Sequence, residues 1–373
     1  TLSMRYVKLI TRRPLAVVLL GVAVLGTIAI PATHMKLGLP DDGASPTSST
    51  ERRAYDLLTE GFGPGFNGPL TAVVYAPEVP QDKQKELAQG VADEIKTFPG
   101  VAAVSEPAQN EAGDITVVSV TPQGGPASDE TKDLVSYMRD EAAKIPASYG
   151  IGAYVTGTTA MNIDTNDKLA AALPKYIAVV VGLALILLTV VFRSILVPIK
   201  AIAGFLLSIA ASLGLVVWVF QDGNLNGLFD VAKAGPITSF LPVLLVGILF
   251  GLAMDYQVFL VSRMRENFVR SGRARESVIK GYGQSGRVVT AAAIIMISVF
   301  GAFVTDTDPV VKSIGLSLAF GVLADAFIVR MTLVPAVMTL LGKRAWWMPK
   351  RLERIVPDVD IEGESLVKGA PAS

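Results

Sequence analysis

Cysteine is absent from the 373 residues. That removes disulfides, thiolate metal sites and cysteine nucleophiles, and leaves the redox compartment undetermined. Histidine occurs once, as His34 at the end of an apolar run, so neither a histidine-centred triad nor a zinc site is expected. Net charge is absent too: 33 basic residues balance 33 acidic ones, which gives no reason to expect nucleic acid as a partner. Charge of either sign is scarce, at 18% of residues, where a soluble domain carries about 25%. Hydrophobic residues make up 51% and the mean hydropathy is +0.49. The deficit of charge points to surface that faces lipid.

About 20 apolar residues in a helix cross a bilayer. Six stretches qualify: Pro14–Thr33, Pro174–Phe192, Val197–Phe220, Ile237–Ser262, Ser285–Val304 and Ser313–Leu341. The first follows Arg5, Lys8, Arg12 and Arg13 and could be mistaken for a signal peptide. Its apolar length and the weak cleavage context after it favour a retained span. Basic residues set the orientation. They crowd the segment before the first span, the turn FRSILVPIK with Arg193 and Lys200, the loop Arg263–Arg287, and a tail with Lys343, Arg344, Lys350, Arg351 and Arg354. These four segments fall on one face if all six stretches span. The loop between the first two spans carries twenty acidic and ten basic residues between Met35 and Ala172. Both termini are therefore expected in the cytoplasm and the large loop outside, with Trp346 and Trp347 at the inner interface.

The large loop reads as a folded domain. STERRAYDLLTEGFG is a helix capped by Ser49 or Thr50, followed by a turn in FGPGFNGPL. The pattern then predicts a strand over 70–76, an amphipathic helix over 81–98, strands over 100–106 and 114–122, a helix over 128–145 capped by Ser128, and a strand over 150–157. The order βαββαβ is the split βαβ arrangement of ferredoxin-like domains. From Thr158 to Lys175 the chain reads as a helix running into the second span. No phosphate loop, carboxylate pair or nucleophile motif stands out in the domain, and fold alone does not decide its role.

Three charged side chains fall unambiguously inside apolar spans, away from their ends: Asp255, Asp325 and Arg330. Each costs on the order of 2.5–3.5 kcal/mol at a helix centre. Counted from outer ends near Phe240 and Ser313, Asp255 lies roughly 22 Å deep, Asp325 roughly 18 Å and Arg330 roughly 25 Å. The groups can meet if spans four and six are neighbours. Asp325 and Arg330 are five residues apart, roughly 140° around an α-helix, and so are expected to pair poorly along one face. A carboxylate balanced between desolvation and a guanidinium can take up and release protons, and Tyr256 offers a phenol beside it. A proton relay of Asp255, Tyr256, Asp325 and Arg330 is the functional reading. The plain alternative is a buried ion pair that fixes packing, although such pairs rarely stabilise more than apolar packing does. Gly247 and Gly251, and the Gly204, Ser208, Ser212 stripe, read as helix-packing positions. The basic loop could also touch anionic lipid.

FRSILVPIKA, LFGLAMDYQVFLVSRMRE, DAFIVRMTLVPAVMTLLG and WWMPKRL, in that order, and FGPGFNGPL in the loop, resemble the MMPL (mycobacterial membrane protein large) transporters of the resistance–nodulation–division superfamily. The likeness runs from the first span to about Pro357 and is greatest to the second half of such a protein. It implies proton-driven export of lipids or other amphiphiles to the cell envelope from the plasma membrane, with the proton gradient as energy source and no cofactor or metal. By motif position, Asp255 and Tyr256 match the family's relay pair, and Asp325 and Arg330 its charged pair. The implied domains are 1–34, a cytoplasmic N-terminus and first transmembrane helix; 35–172, an extracytoplasmic porter domain; 173–342, transmembrane helices two to six; and 343–373, a partly disordered cytoplasmic tail. The architecture expected is a six-span α-helical bundle with a ferredoxin-like α+β porter domain between spans one and two. Thr1 in place of methionine suggests a fragment or processed product. A single relay pair implies a partner, either the missing N-terminal half or a second copy of the chain, alongside cargo and membrane lipid. Two other readings compete: an intramembrane aspartyl protease built on Asp255 and Asp325, and a non-transporting assembly component.

Overall fold

Long apolar runs with few breaking residues form continuous helices, because lipid offers no partner for a free backbone amide. The computed structural model describes residues 2–146, 150–229, 231 and 233–349. Among them, six helices are long and apolar enough to span a membrane: Pro14–His34, Thr158–Phe192, Leu196–Gln221, Leu241–Ser271, Ala274–Thr305 and Pro309–Trp346. The tail from residue 350 lies outside the described residues, so the expected partial disorder there is not addressed. Gly342–Trp346 forms a short 3-10 helix. The chain divides into two compact units. One holds the described residues of Thr1–Met35, Ala172–Phe229 and Phe240–Ser373, the other those of Lys36–Ala171 and Asp230–Ser239.

In the helical unit, small residues bring helix backbones together, the packing mode available where lipid is the solvent. A methyl at Gly214 in the third span would strike the Ile28 carbonyl and Ala29 of the first. Ser212 Oγ donates to the Ser317 carbonyl of the sixth span, and a methyl at Gly204 would meet Val329 there. The small-residue stripe thus joins span three to span six. Gly247 faces the Tyr176 hydroxyl, whereas Gly251 faces open space. At one end, His34 Nε2 meets Asp222 Oδ1 at 3.0 Å, and Gln221 donates to the His34 carbonyl.

The basic stretch Arg263–Arg287, expected as a loop, is mostly helical. The fourth helix runs on to Ser271, Gly272 closes it with φ 64°, and the fifth starts at Ala274. Ion pairs of Glu266 with Arg263 and Arg270, and of Glu276 with Arg273 and Lys280, support these polar helix ends. The N-terminal basic segment is also a helix, Leu2–Ile10, with Val7 and Ile10 buried and the Tyr6 hydroxyl 2.8 Å from Thr332 Oγ1.

The second unit is built on alternation. Its strands are β1 (Leu37–Gly38), β2 (Leu70–Tyr75), β3 (Val101–Val104), β4 (Ala108–Gln109), β5 (Ile115–Pro122), β6 (Gly152–Thr156) and β7 (Ile237–Thr238). β3, β5, β2 and β6 form an antiparallel sheet in that order, with β4 also on β5. Every second residue of β2 and β5 is buried, and the helices Gln81–Ile95 and Asp129–Ala143 supply Ala92, Ile95, Leu134, Val135 and Met138 to the same core. Ser49 Oγ accepts from Arg52 N and Ser128 Oγ from Thr131 N, capping two helices. β4 falls in a segment expected as a connection, where Asn110 accepts from Ile115 N and Gly113 turns the chain. The fourth span, expected from Ile237, begins at Leu241. Ile237 and Thr238 instead pair in parallel with Leu37 and Gly38, and Ile237 N donates to the Lys36 carbonyl.

Arg139 ties the Asp129–Ala143 helix to the start of the Thr158–Phe192 helix, with Nη1 and Nη2 donating to Asp164 at 2.6 and 2.9 Å. The bond from Arg139 holds the Asp164 carboxyl below its usual range. Its stabilisation is therefore present above the ordinary carboxylate pKa and lost as pH falls through the lowered value. Both side chains are more than a third exposed, so Asp164→Asn should cost only about 0.5–1 kcal/mol at neutral pH, and nothing once pH has fallen below the lowered value. Melting curves of the intact chain at both pH values check this. Gly214→Val should cost more, about 1–3 kcal/mol, read as a lower melting temperature in detergent, because backbone in the first span must move.

Candidate functional site

Three polar side chains meet inside the helical unit because the sixth span changes its winding. Asp308 caps it by accepting from Val310 N and Val311 N, and an α-helix runs to Leu323. Ala324–Leu333 is then a π-helix before α-helix resumes at Val334. Pro335, two residues past the π segment, has no N–H to give the carbonyl four residues back and crowds it, which favours a wider turn. Val334 N bonds the Val329 carbonyl and Thr332 Oγ1 the Phe327 carbonyl, both five residues back.

This winding overturns the expectation that Asp325 and Arg330 pair poorly. An i, i+5 pair diverges on an α-helix but returns to one face on a π-turn. Arg330 Nε donates to Asp325 Oδ2 at 2.5 Å, with the two residues 1% and 4% exposed. Arg330 Nη1 donates to Gln257 Oε1 of the fourth span at 3.2 Å, and Gln257 is 1% exposed. Asp325 Oδ1 and Gln257 Nε2 are buried without a hydrogen-bond partner among the described residues.

Asp255 lies elsewhere. The fourth span turns Ala253, Gln257, Leu260, Val261 and Met264 inward, while Gly247, Gly251, Asp255 and Phe259 are exposed. Asp255 and Gln257 are about 200° apart around the helix, and the Asp255 carboxylate has no partner among the described residues. Tyr256 lies between these faces. It is partly buried, packs against the core that holds Met254 and Met331, and is within electrostatic reach of Arg330, Asp325 and Asp255. The two carboxylates are not hydrogen-bonded to each other among the described residues, and Asp325 is engaged by Arg330. A protease needs both aspartates on one water.

Sequence reasoning missed Gln257 and the burial of Lys200. Gln257 shares the inward stripe with Ala253, Leu260 and Met264, so helical periodicity could have marked it as a buried amide. The sequence places Lys200 both in the FRSILVPIK turn and inside the Val197–Phe220 stretch. It belongs to the helix Leu196–Val216, its Nζ is buried without a hydrogen-bond partner among the described residues, and it is within electrostatic reach of Arg330.

These features define a multi-pass helical membrane protein with a buried ion pair in its sixth span, hydrogen-bonded to the fourth. The chain belongs to the MMPL family, whose model matches residues 46–356. It is 48% identical to the membrane protein YdfJ of Bacillus subtilis, over 97% of this chain and 49% of that protein. It is 31% identical to the mycolic acid-containing lipids exporter MmpL11 of Mycolicibacterium smegmatis, over 96% and 38%. It is 29% identical to the trehalose monomycolate exporter MmpL3 of the same organism, over 94% and 35%. The chain spans about half or less of the length of these relatives.

Removing one member of a buried ion pair strands its partner, whereas removing both does not. Asp325→Asn or Arg330→Met alone should lower stability by about 3–5 kcal/mol, and the double variant Asp325→Leu/Arg330→Met by much less. A double-mutant cycle of unfolding midpoints in detergent checks this, and additive losses would contradict the pairing.

Proposed function

We propose that the chain works as the second half of a proton-driven exporter of lipids or other amphiphiles, with Asp255, Tyr256, Asp325 and Arg330 as its proton relay. The observation that carries this reading is the buried Asp325–Arg330 pair on a π-turn, with Tyr256 between it and an Asp255 without a partner among the described residues. A guanidinium bonded to one carboxylate oxygen, with the other oxygen unbonded, suits a group that changes protonation and helix packing together. The names of the exporters MmpL11 and MmpL3 support an amphiphilic cargo, and the proton gradient is the energy source without a cofactor.

The exposed face of the fourth span, with Gly251 open and Asp255 unpaired, supports a partner that covers it: an N-terminal half, or a second copy of this chain. On the same reading, the protein is in the plasma membrane with both termini cytoplasmic. Residues 35–172 are an extracytoplasmic porter domain that receives cargo, and 343–373 is a cytoplasmic tail. The lysine and arginine distribution supports that orientation.

The test uses the protein with its partner half in liposomes, with internal pH followed by a dye under an imposed gradient. Asp255→Asn and Asp325→Asn are each expected to reduce cargo-dependent proton flux by at least about tenfold, the loss of a general acid–base group. Assembly mass should stay unchanged. Unchanged flux in both variants would sink the relay and leave the assembly-component reading.

A further inference from the structure

We propose that the α+β unit holds a binding slot for a single hydrocarbon chain with a cationic head, in the seam between its two sheet-packing helices. A cavity of about 430 Å³ lies there. The cleft is open on one side, and its volume is within the range of small-molecule sites. One wall is the Gln81–Ile95 helix with Leu87 and Val91, and the other is the Asp129–Ala143 helix with Met138 and Ala142. The floor comes from β2 and β6, where Ala72 pairs with Val155 and Val74 with Ala153.

The void is written into the sequence. Ala72, Ala153 and Ala142 stand where larger side chains would close the seam. Elsewhere the same sheet packs solidly, with Leu70, Val118 and Val120 against Leu134 and Val135. From Leu87 to Ile95 the wall extends roughly 12 Å of helix rise, an elongated shape that suits a linear chain.

The polar groups at the slot select the head. Glu94 and Glu141 both line it, with Lys144 beside them. Lys144 Nζ donates to Glu141 Oε1 at 2.5 Å, and this bond holds the ammonium above its usual range. Glu94 is in no ion pair among the described residues. The slot therefore presents one uncompensated carboxylate, which attracts a cation and repels an anionic headgroup.

The experiment measures binding, so its outcome is independent of the exporter reading. The intact chain in zwitterionic-lipid nanodiscs is photolabelled with a dodecyl trimethylammonium probe carrying a diazirine on its chain. Labelled peptides should map to residues 87–98 and 138–145. Ala142→Trp should cut that labelling by at least about tenfold, the scale of losing an apolar pocket. Glu94→Lys, an exposed change that spares the fold, should cut labelling by the ammonium probe and raise labelling by the same chain with a sulfate head. Label confined to the membrane helices would overturn the slot. So would labelling in Ala142→Trp at the original level, and equal use of both probes by Glu94→Lys would overturn the cationic head.

Discussion

An arginine and an aspartate shut away from water inside an apolar bundle set the terms for the helical unit. Each charge alone would be strongly penalised there, and together they are tolerable only in good mutual geometry. An ordinary α-helix cannot provide that geometry for residues five apart. The π-turn at Ala324–Leu333 does, and Pro335 just beyond it favours that wider winding. Gln257 then provides the guanidinium with a second acceptor from the neighbouring helix. Sequence, winding and ion pair are thus one feature seen at three scales.

The rest of the bundle is arranged around that feature. Span six is held close by small residues of span three, through Gly204 at Val329 and Ser212 at the Ser317 carbonyl, so the π segment is clamped on one side. Span four contributes Gln257 to the pair and keeps Asp255 on its other, uncovered face. Tyr256 is the residue that both faces share. A carboxylate without a partner on a membrane helix is costly in isolation, and it becomes intelligible when that face is an interface.

Much of this was legible in the sequence, and the gaps have physical causes. Asp325 and Arg330 stand out in DAFIVRMTLVP because a charge in an apolar run is penalised heavily enough to be noticed. Their pairing is not legible, because residues five apart diverge on an α-helix and Pro335 acts from outside the pair. Gln257 escaped notice because a neutral amide in DYQVF breaks the apolar run far less than a charge does. Lys200 follows VPI closely enough to the Arg193 turn that its position in a helix depends on where that helix starts. Helix ends are poorly marked when polar residues continue the helix, as the ion-paired stretch either side of Gly272 does. In the α+β unit the two helices and longer strands follow local alternation. The two-residue strands β1 and β7 depend on contact between segments two hundred positions apart, which no local pattern encodes.

If Asp325 serves in the relay proposed above, the charge count of the buried site gives that coupling a direction. Arg330 and Lys200 are within electrostatic reach of each other, and the carboxylate bonded to Arg330 is that of Asp325. While Asp325 is ionised, its charge offsets one of the two cationic groups and holds the π-turn closed through the bond to Arg330. A proton on Asp325 removes the offset and weakens that bond to one between a cation and a neutral acid. The guanidinium then faces an ammonium in a buried site, where like charges repel more strongly than in water. On that reading the favourable responses are movement of Arg330 toward other acceptors or rewinding of the turn. Both shift the face of span six that contacts spans three and four, and small residues leave little slack on the span-three side. On the proposed relay, movement is directed toward span four, the helix that carries Gln257, Tyr256 and Asp255.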